Sequence, residues 1–247
     1  MKRMLLVIAA LVLSVSPAFA YGGVNFAWGT DCWSESSVQN RSFACDVNTG
    51  TELATASFAP SADLPDFNGI VAKVEICSVN AALPAWWQLW NAGACRSMLI
   101  SASTDFLAVP AGSCPDPWHG LALGGIATYQ TALFPPSSGP VPAYNRALIK
   151  LAFALPAPEA LAADVEYAGF HLAISHAKTV GDGACAGCSA PAALALAEIQ
   201  LWGQTQMQML GNPLSNQFLG WNGGSWWDCW PTPVRNSTWG QIKGMYR

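Results

Sequence analysis

Cys185-Ala186-Gly187-Cys188 has the spacing of a dithiol redox pair and of half a zinc knuckle. A redox thiol of the thioredoxin type needs a strand before it and a helix N-terminus after it, which together lower its pKa. The surrounding VGDGACAGCSAP reads as loop on both sides, and the sequence offers no second pair of comparable spacing for zinc. A structural disulfide is the expectation. Asp46-Val47-Asn48-Thr49-Gly50-Thr51-Glu52 sets oxygen-bearing side chains at alternate positions, as a calcium loop does, so Asp46, Asn48 and Glu52 are the candidate ligands. Gly50 stands where the third ligand should be, and no bidentate glutamate follows at the required distance. No cofactor is therefore expected, calcium being the alternative to a plain Asn-Thr-Gly turn.

A hydrolase would need one of His119, His171 and His176 near a nucleophile or carboxylate. Neither a Gly-x-Ser-x-Gly elbow nor a His-Glu-x-x-His helix occurs. His171 falls on the strand face opposite Phe170 and Leu172, a half-exposed polar position. Asp63 with Asp66, or Asp116 with Asp228, could form a glycosidase pair, but their separation in space decides that chemistry. No catalytic residue is assigned. Aromatic surfaces are more suggestive, since an indole can stack on the apolar face of a sugar ring. Of twelve tryptophans, Trp118 in CPDPWHG and the group Trp226, Trp227 and Trp230 lie in loop-like contexts and are the candidate ligand-binding residues. PAWWQLWNAGACR reads instead as core. Pro84 suits the start of a short helix and Gly93 its end, and Trp86, Leu89 and Trp90 would pack across an open end of the fold.

The elements that must carry these residues show a period of two. Ile70, Ala72, Val74 and Ile76 alternate with polar neighbours; so do Ala147, Ile149, Leu151 and Phe153, then Ala168, Phe170, Leu172 and Ile174, then Val24, Phe26 and Trp28. AALALAEIQLW has helical propensity, but its context and its Ile199/Leu201 alternation fit a closing strand. Stretches such as SFAPSADLPDFNG and FPPSSGPVPAYNR punctuate the strands. The expected fold is mainly β: an antiparallel, jelly-roll-like β-sandwich with short helices. Residues 21–202 would form the sandwich, and residues 203–247, rich in Trp, Gly, Asn and Gln, an irregular extension packed on it and pinned by Cys229.

The chain opens MKRMLLVIAALVLSVSPAFA, with a basic start, a short apolar run and Ala18-Phe19-Ala20 before a cleavage point, so residues 1–20 read as a signal peptide. No cysteine follows directly to carry a lipid, and no later stretch supplies the roughly 20 apolar residues of a transmembrane helix. Secretion to an extracellular or periplasmic location is expected. Loss of Lys2 and Arg3 takes the net charge from −4 to −6; without a basic cluster, nucleic acid is excluded as a partner. Charged residues are only 11% of the chain against 52% hydrophobic, a composition that builds a core. All eight cysteines lie beyond the leader, which reads as four disulfides. Proximity pairs Cys32 with Cys45, Cys95 with Cys114 and Cys185 with Cys188, leaving Cys77 for Cys229.

FACDVNTG, LPAWWQLWNAGACR, CAGCSAP and the closing TWGQIKGMYR together resemble a family of secreted bacterial proteins marked by a Cys-x-x-Cys and a C-terminal Trp-Gly-Gln-Ile-Lys. No activity or catalytic residue comes with that resemblance. It implies bacterial export, and that the sequons at Asn40 and Asn236 are not glycosylated. The leading functional expectation is a noncatalytic binding or adhesion module that presents aromatics to glycan or to a cell-envelope protein. A structural subunit of an extracellular assembly comes next, then a hydrolase whose carboxylates converge only in the fold.

Overall fold

The computed structural model describes residues 22–34, 36–107, 114–133 and 143–229, with side chains at 132, 133, 143, 228 and 229 excepted. Eleven strands are present among these: β1 (Gly23–Trp28), β2 (Asn40–Arg41), β3 (Thr51–Ala59), β4 (Leu64–Ser78), β5 (Ile100–Ser103), β6 (Leu123–Leu133), β7 (Ala143–Leu161), β8 (Tyr167–Ser175), β9 (Ala192–Gly203), β10 (Met207–Leu210) and β11 (Phe218–Trp221). They form a four-stranded sheet in the order β1-β3-β8-β5 and a seven-stranded sheet in the order β2-β11-β9-β4-β7-β6, with β10 paired to β9. Every pairing is antiparallel except the two-residue β2–β11 contact.

Alternation explains why the sheets stack. Ile70, Ala72, Val74 and Ile76 of β4, and Ala147, Ile149, Leu151 and Phe153 of β7, are all buried. They face Phe26, Phe58, Phe170 and Leu172 of the smaller sheet in one hydrophobic core. Ring pairs bridge the layers: Phe58 with Phe67 at 6.1 Å, Phe153 with Phe170 at 6.2 Å and Trp28 with Trp221 at 6.0 Å between centroids. Each fully buried Phe or Leu contributes roughly 1.5–3 kcal/mol by leaving water, which makes this interface the dominant stabilising term. AALALAEIQLW is strand β9, its sheet neighbours overriding its helical propensity.

Of the expected irregular extension, residues 203–229 are described, and they carry two strands. β10 and β11 share the edge of β9 that faces away from β4, end to end. Between them the backbone runs along the free edge of β1, with Val24 N donating to Asn212 O and Phe26 N to Asn216 O. Leu210, Leu219 and Trp221 are core residues. This stretch therefore closes one side of the sandwich.

The tryptophan-rich stretch is core, as its aromatic density implies, though not by the expected spacing. A single 3-10 turn, Ala85–Trp87, follows Pro84. It buries adjacent Trp86 and Trp87 with Leu89, while Trp90 is only half-buried. Trp86 stacks on Trp221 at 5.1 Å, and Trp87 meets both edge-on. Below them lies Arg96, fully buried. Its Cζ sits 3.6 Å from the Trp86 ring centre, and it donates to the carbonyls of Trp86 (2.8 Å), Ala177 (3.2 Å) and Ser175. Burial pulls its guanidinium down to about 10, still a cation at neutral pH.

The proximity pairing of cysteines is wrong for all three pairs whose sulfurs are described. Cys32 joins Cys114, Cys45 joins Cys188 and Cys95 joins Cys185, across 82, 143 and 90 residues of sequence. In a sandwich, loops at one end are close in space whatever their order in the chain, so local spacing carries no pairing information. Cys77 is buried and disulfide-bonded; its expected partner, the Cys229 side chain, lies outside the described residues, as do residues 1–20, where a signal peptide is expected, and Trp230.

Candidate functional site

Cys185 and Cys188 belong to different bridges, which excludes both a Cys-x-x-Cys redox couple and a zinc half-site. The calcium donors do not converge. Asn48 Oδ1 accepts the Thr179 and Val180 N–H groups at 2.7 and 3.0 Å and its amide donates to Val180 O, so the side chain pins the 179–180 loop. Glu52 is buried on β3, bound to Arg41 Nε at 2.5 Å and to His176 Nε2 at 3.1 Å. Among the described residues no group of three His, Cys, Asp or Glu side chains could hold a metal ion.

The histidines are structural in their contacts. His171 is buried rather than half-exposed, because the 104–107 segment covers its face of β8: Phe106 lies 4.5 Å from the ring, and Thr55 Oγ1 is 2.9 Å from Nδ1. His176 is stacked on Phe43 at 3.8 Å, with its second nitrogen 2.9 Å from Thr49 O. His119 is exposed, 3.9 Å from Glu159. The carboxylates proposed for glycoside chemistry serve the backbone. Asp63 accepts Ala163 N–H at 2.8 Å, and Asp116 caps Trp118 N–H at 2.8 Å. Asp66 takes both the hydroxyl and the N–H of Thr205, which hold its carboxyl below the usual carboxylate range. Asp228's side chain lies outside the described residues.

Trp118 is a correction. It is 0% exposed, packed edge-on against Phe67 at 5.4 Å, and donates its indole N–H to Ala168 O at 3.0 Å. Trp226 and Trp227 are different. They stand on a 3-10 turn, Trp226–Cys229, that folds back over β11. Trp226 stacks on Phe218 at 5.7 Å, and Arg146 Cζ lies 5.2 Å from its ring centre. Trp227 is tilted against Phe218 at 6.0 Å and is 73% exposed. A cleft of about 230 Å³ opens beside them, lined by Gln39, Asn40, Asn216 and Ser225 as well as the three rings. Gly220 on its floor has no side chain for a reason: a Cβ there would come within 2.2 Å of Asn40 Oδ1. The cleft combines aromatic faces with carboxamides and a hydroxyl, and no charged side chain lines it.

A second exposed aromatic was not singled out from the sequence. Trp202, 43% exposed, points from the outer face of the seven-stranded sheet. It belongs to the outward set Glu198, Gln200, Trp202 that alternates with buried Ile199 and Leu201. A tryptophan on the polar half of an alternating strand is the signal that could have found it.

No family model matches the chain, and no curated protein matches it. One solved structure to which it is similar is described as a membrane-anchored protein of Corynebacterium diphtheriae, at 8% identity and a TM-score of 0.30, covering 85% of this chain. The chain spans 37% of that structure's length, and a likeness at this level carries no argument. Three long-range disulfides form and persist in oxidising compartments, which makes this a non-cytoplasmic protein. Among the described residues no helix is long and apolar enough to cross a membrane.

Proposed function

We propose that the protein is a secreted, noncatalytic binding module that takes a neutral glycan in the Phe218–Trp226–Trp227 cleft. The observation that carries the reading is the exposure of Trp227 beside the stacked Phe218 and Trp226 rings. Leaving a large indole in water forgoes a few kcal/mol of burial, and such exposed aromatics beside convergent polar groups mark binding surfaces. A pyranose ring has an apolar face for the indole and equatorial hydroxyls for the Gln39 and Asn40 carboxamides. The uncharged lining selects against ionic ligands, since a charge brought there would lose water without gaining a partner.

Titration of the protein with neutral oligosaccharides, followed by tryptophan fluorescence, tests this. Saturable quenching is expected in the wild type. Trp227→Ala should weaken binding at least roughly 10-fold, about 1.4 kcal/mol or more, while the melting temperature stays within a degree or two. A glycan array without hits, or Trp227→Ala binding as well as wild type, refutes the reading.

A further inference from the structure

The outer face of the seven-stranded sheet carries a second feature at the opposite end of its strands, ~23 Å from the cleft at ~3.3 Å per residue. Register aligns its side chains in rows. Met207, Trp202, Gly69, Ala154 and Leu123 are successive cross-strand partners over β10, β9, β4, β7 and β6. The next row is Met209, Gln200, Val71, Ala152 and Gly125, and beyond it Glu198 pairs across to Lys73. Large and small residues are segregated in these rows. Met207, Met209 and Trp202, all exposed, make a ridge. Beside it runs a trough of about 440 Å³ floored by Gly69, Val71, Ala152 and Ala154, and walled on its far side by Leu123, 79% exposed. Gly69 keeps the floor low because β7 passes against it; a Cβ would meet Phe153 O at 2.4 Å.

We infer that this face docks a second copy of the same chain, ridge into trough, about a two-fold axis that runs along the strands between β9 and β4. Adjacent strands are ~4.8 Å apart, so ridge and trough centres are separated by ~10 Å within the same rows. Rotation about that axis brings β10 of one copy over β7 of the other and β9 over β4. Both ridges then enter troughs at once, the isologous arrangement that closes a dimer. The charges follow the same operation. Glu198 of each copy comes opposite Lys73 of the other, so the internal Lys73–Glu198 pair, 3.0 Å apart, becomes half of a four-charge network. A face with this side-by-side division of large from small and acidic from basic is complementary to itself. Face-to-face sheets pack about 10 Å apart, which the interdigitated side chains would fill.

The test is sedimentation equilibrium on the oxidised protein over a wide concentration range. The weight-average mass is expected to rise from one chain to two. Ala154→Arg fills the trough at an exposed position and should keep the mass at one chain with the circular dichroism spectrum unchanged; Trp202→Ala, which removes the ridge, should do the same. Lys73→Glu and Glu198→Lys should each weaken self-association at least tenfold, and an equimolar mixture of the two should recover it as a heterodimer. A single-chain mass at every concentration overturns the inference, as does an Ala154→Arg variant that dimerises like the wild type. Should the single chain instead float with neutral phosphatidylcholine vesicles and lose that with Ala154→Arg, the face is a lipid contact and the dimer is refuted. Because the Trp227 cleft shares no residue with this face, Ala154→Arg leaves glycan binding as a separate readout.

Discussion

Replacing Cys45 and Cys188 together by alanine tests the covalent framework most sharply. The bridge joins residues 143 apart in sequence. In the chain-entropy model a loop of that length, taken alone, restricts the unfolded chain by about 5 kcal/mol at 25 °C; with the Cys32–Cys114 and Cys95–Cys185 bridges closed the shortest loop is ~35 residues, worth about 4 kcal/mol. The pairing that proximity suggests, Cys32 with Cys45, would close a 13-residue loop worth about 3 kcal/mol by the same relation. Cys188 is buried beside Trp221, whose indole donates to the Cys188 carbonyl at 2.9 Å, so alanine there adds a small cavity. The double variant should therefore unfold in urea with a stability about 4–5 kcal/mol below wild type and a larger m-value, since the unfolded chain is less constrained. Peptide mapping without reduction should recover the Cys45 peptide attached to the Cys188 peptide. A loss under about 2 kcal/mol, or a Cys45 peptide joined to Cys32, would refute the reasoning.

Two other perturbations follow from the interior and the rim. Arg96→Met removes a buried cation with three carbonyl partners, and should cost about 3 kcal/mol or more in urea unfolding; Arg96→Lys should not restore it, because an ammonium cannot reproduce the planar three-way contact over Trp86. Asp66 has a folded pKa depressed by Thr205, so its contribution is fully present above the unfolded carboxylate value and is lost as pH falls through the lower, folded one. Asp66→Asn should accordingly flatten the acid side of the melting-temperature profile below pH 4, its offset from wild type being fully present at pH 7 and vanishing as pH falls through the folded value. An unchanged acid limb would show that the Thr205 contact is without thermodynamic effect.

Strands were legible wherever one face is buried and the other is not. Ile70 through Ile76, Ala147 through Phe153 and Ala168 through Ile174 stand on the inward side as their alternation implies. Burial on both sides hides that signal, which is why His171 was misread: its outward position is roofed by Phe106, a contact between a strand and a segment about 65 residues earlier. Trp118 was misread for a related cause. CPDPWHG has the composition of an exposed loop, yet Asp116 folds the backbone so that the indole enters the core. Trp226 and Trp227 are adjacent in the sequence and Phe218 lies only a few residues before them, but the amide wall from Gln39 and Asn40 comes from chain more than 170 residues away. The outer-face rows depend on the registers of β10, β9, β4 and β7 at once, and a register is set by tertiary packing rather than by any one segment.

The described bridges also set a requirement on biogenesis. A chain that enters an oxidising space from its N-terminus presents Cys32 and Cys45 together long before Cys114 or Cys188 arrives. An oxidant acting on whichever thiols emerge first would join that premature couple, and neither of its members is partnered so in the finished fold. Reaching the native set then calls for thiolate attack on a formed bond and reshuffling through mixed intermediates. Yield in a host should thus depend on an isomerase as well as on an oxidase.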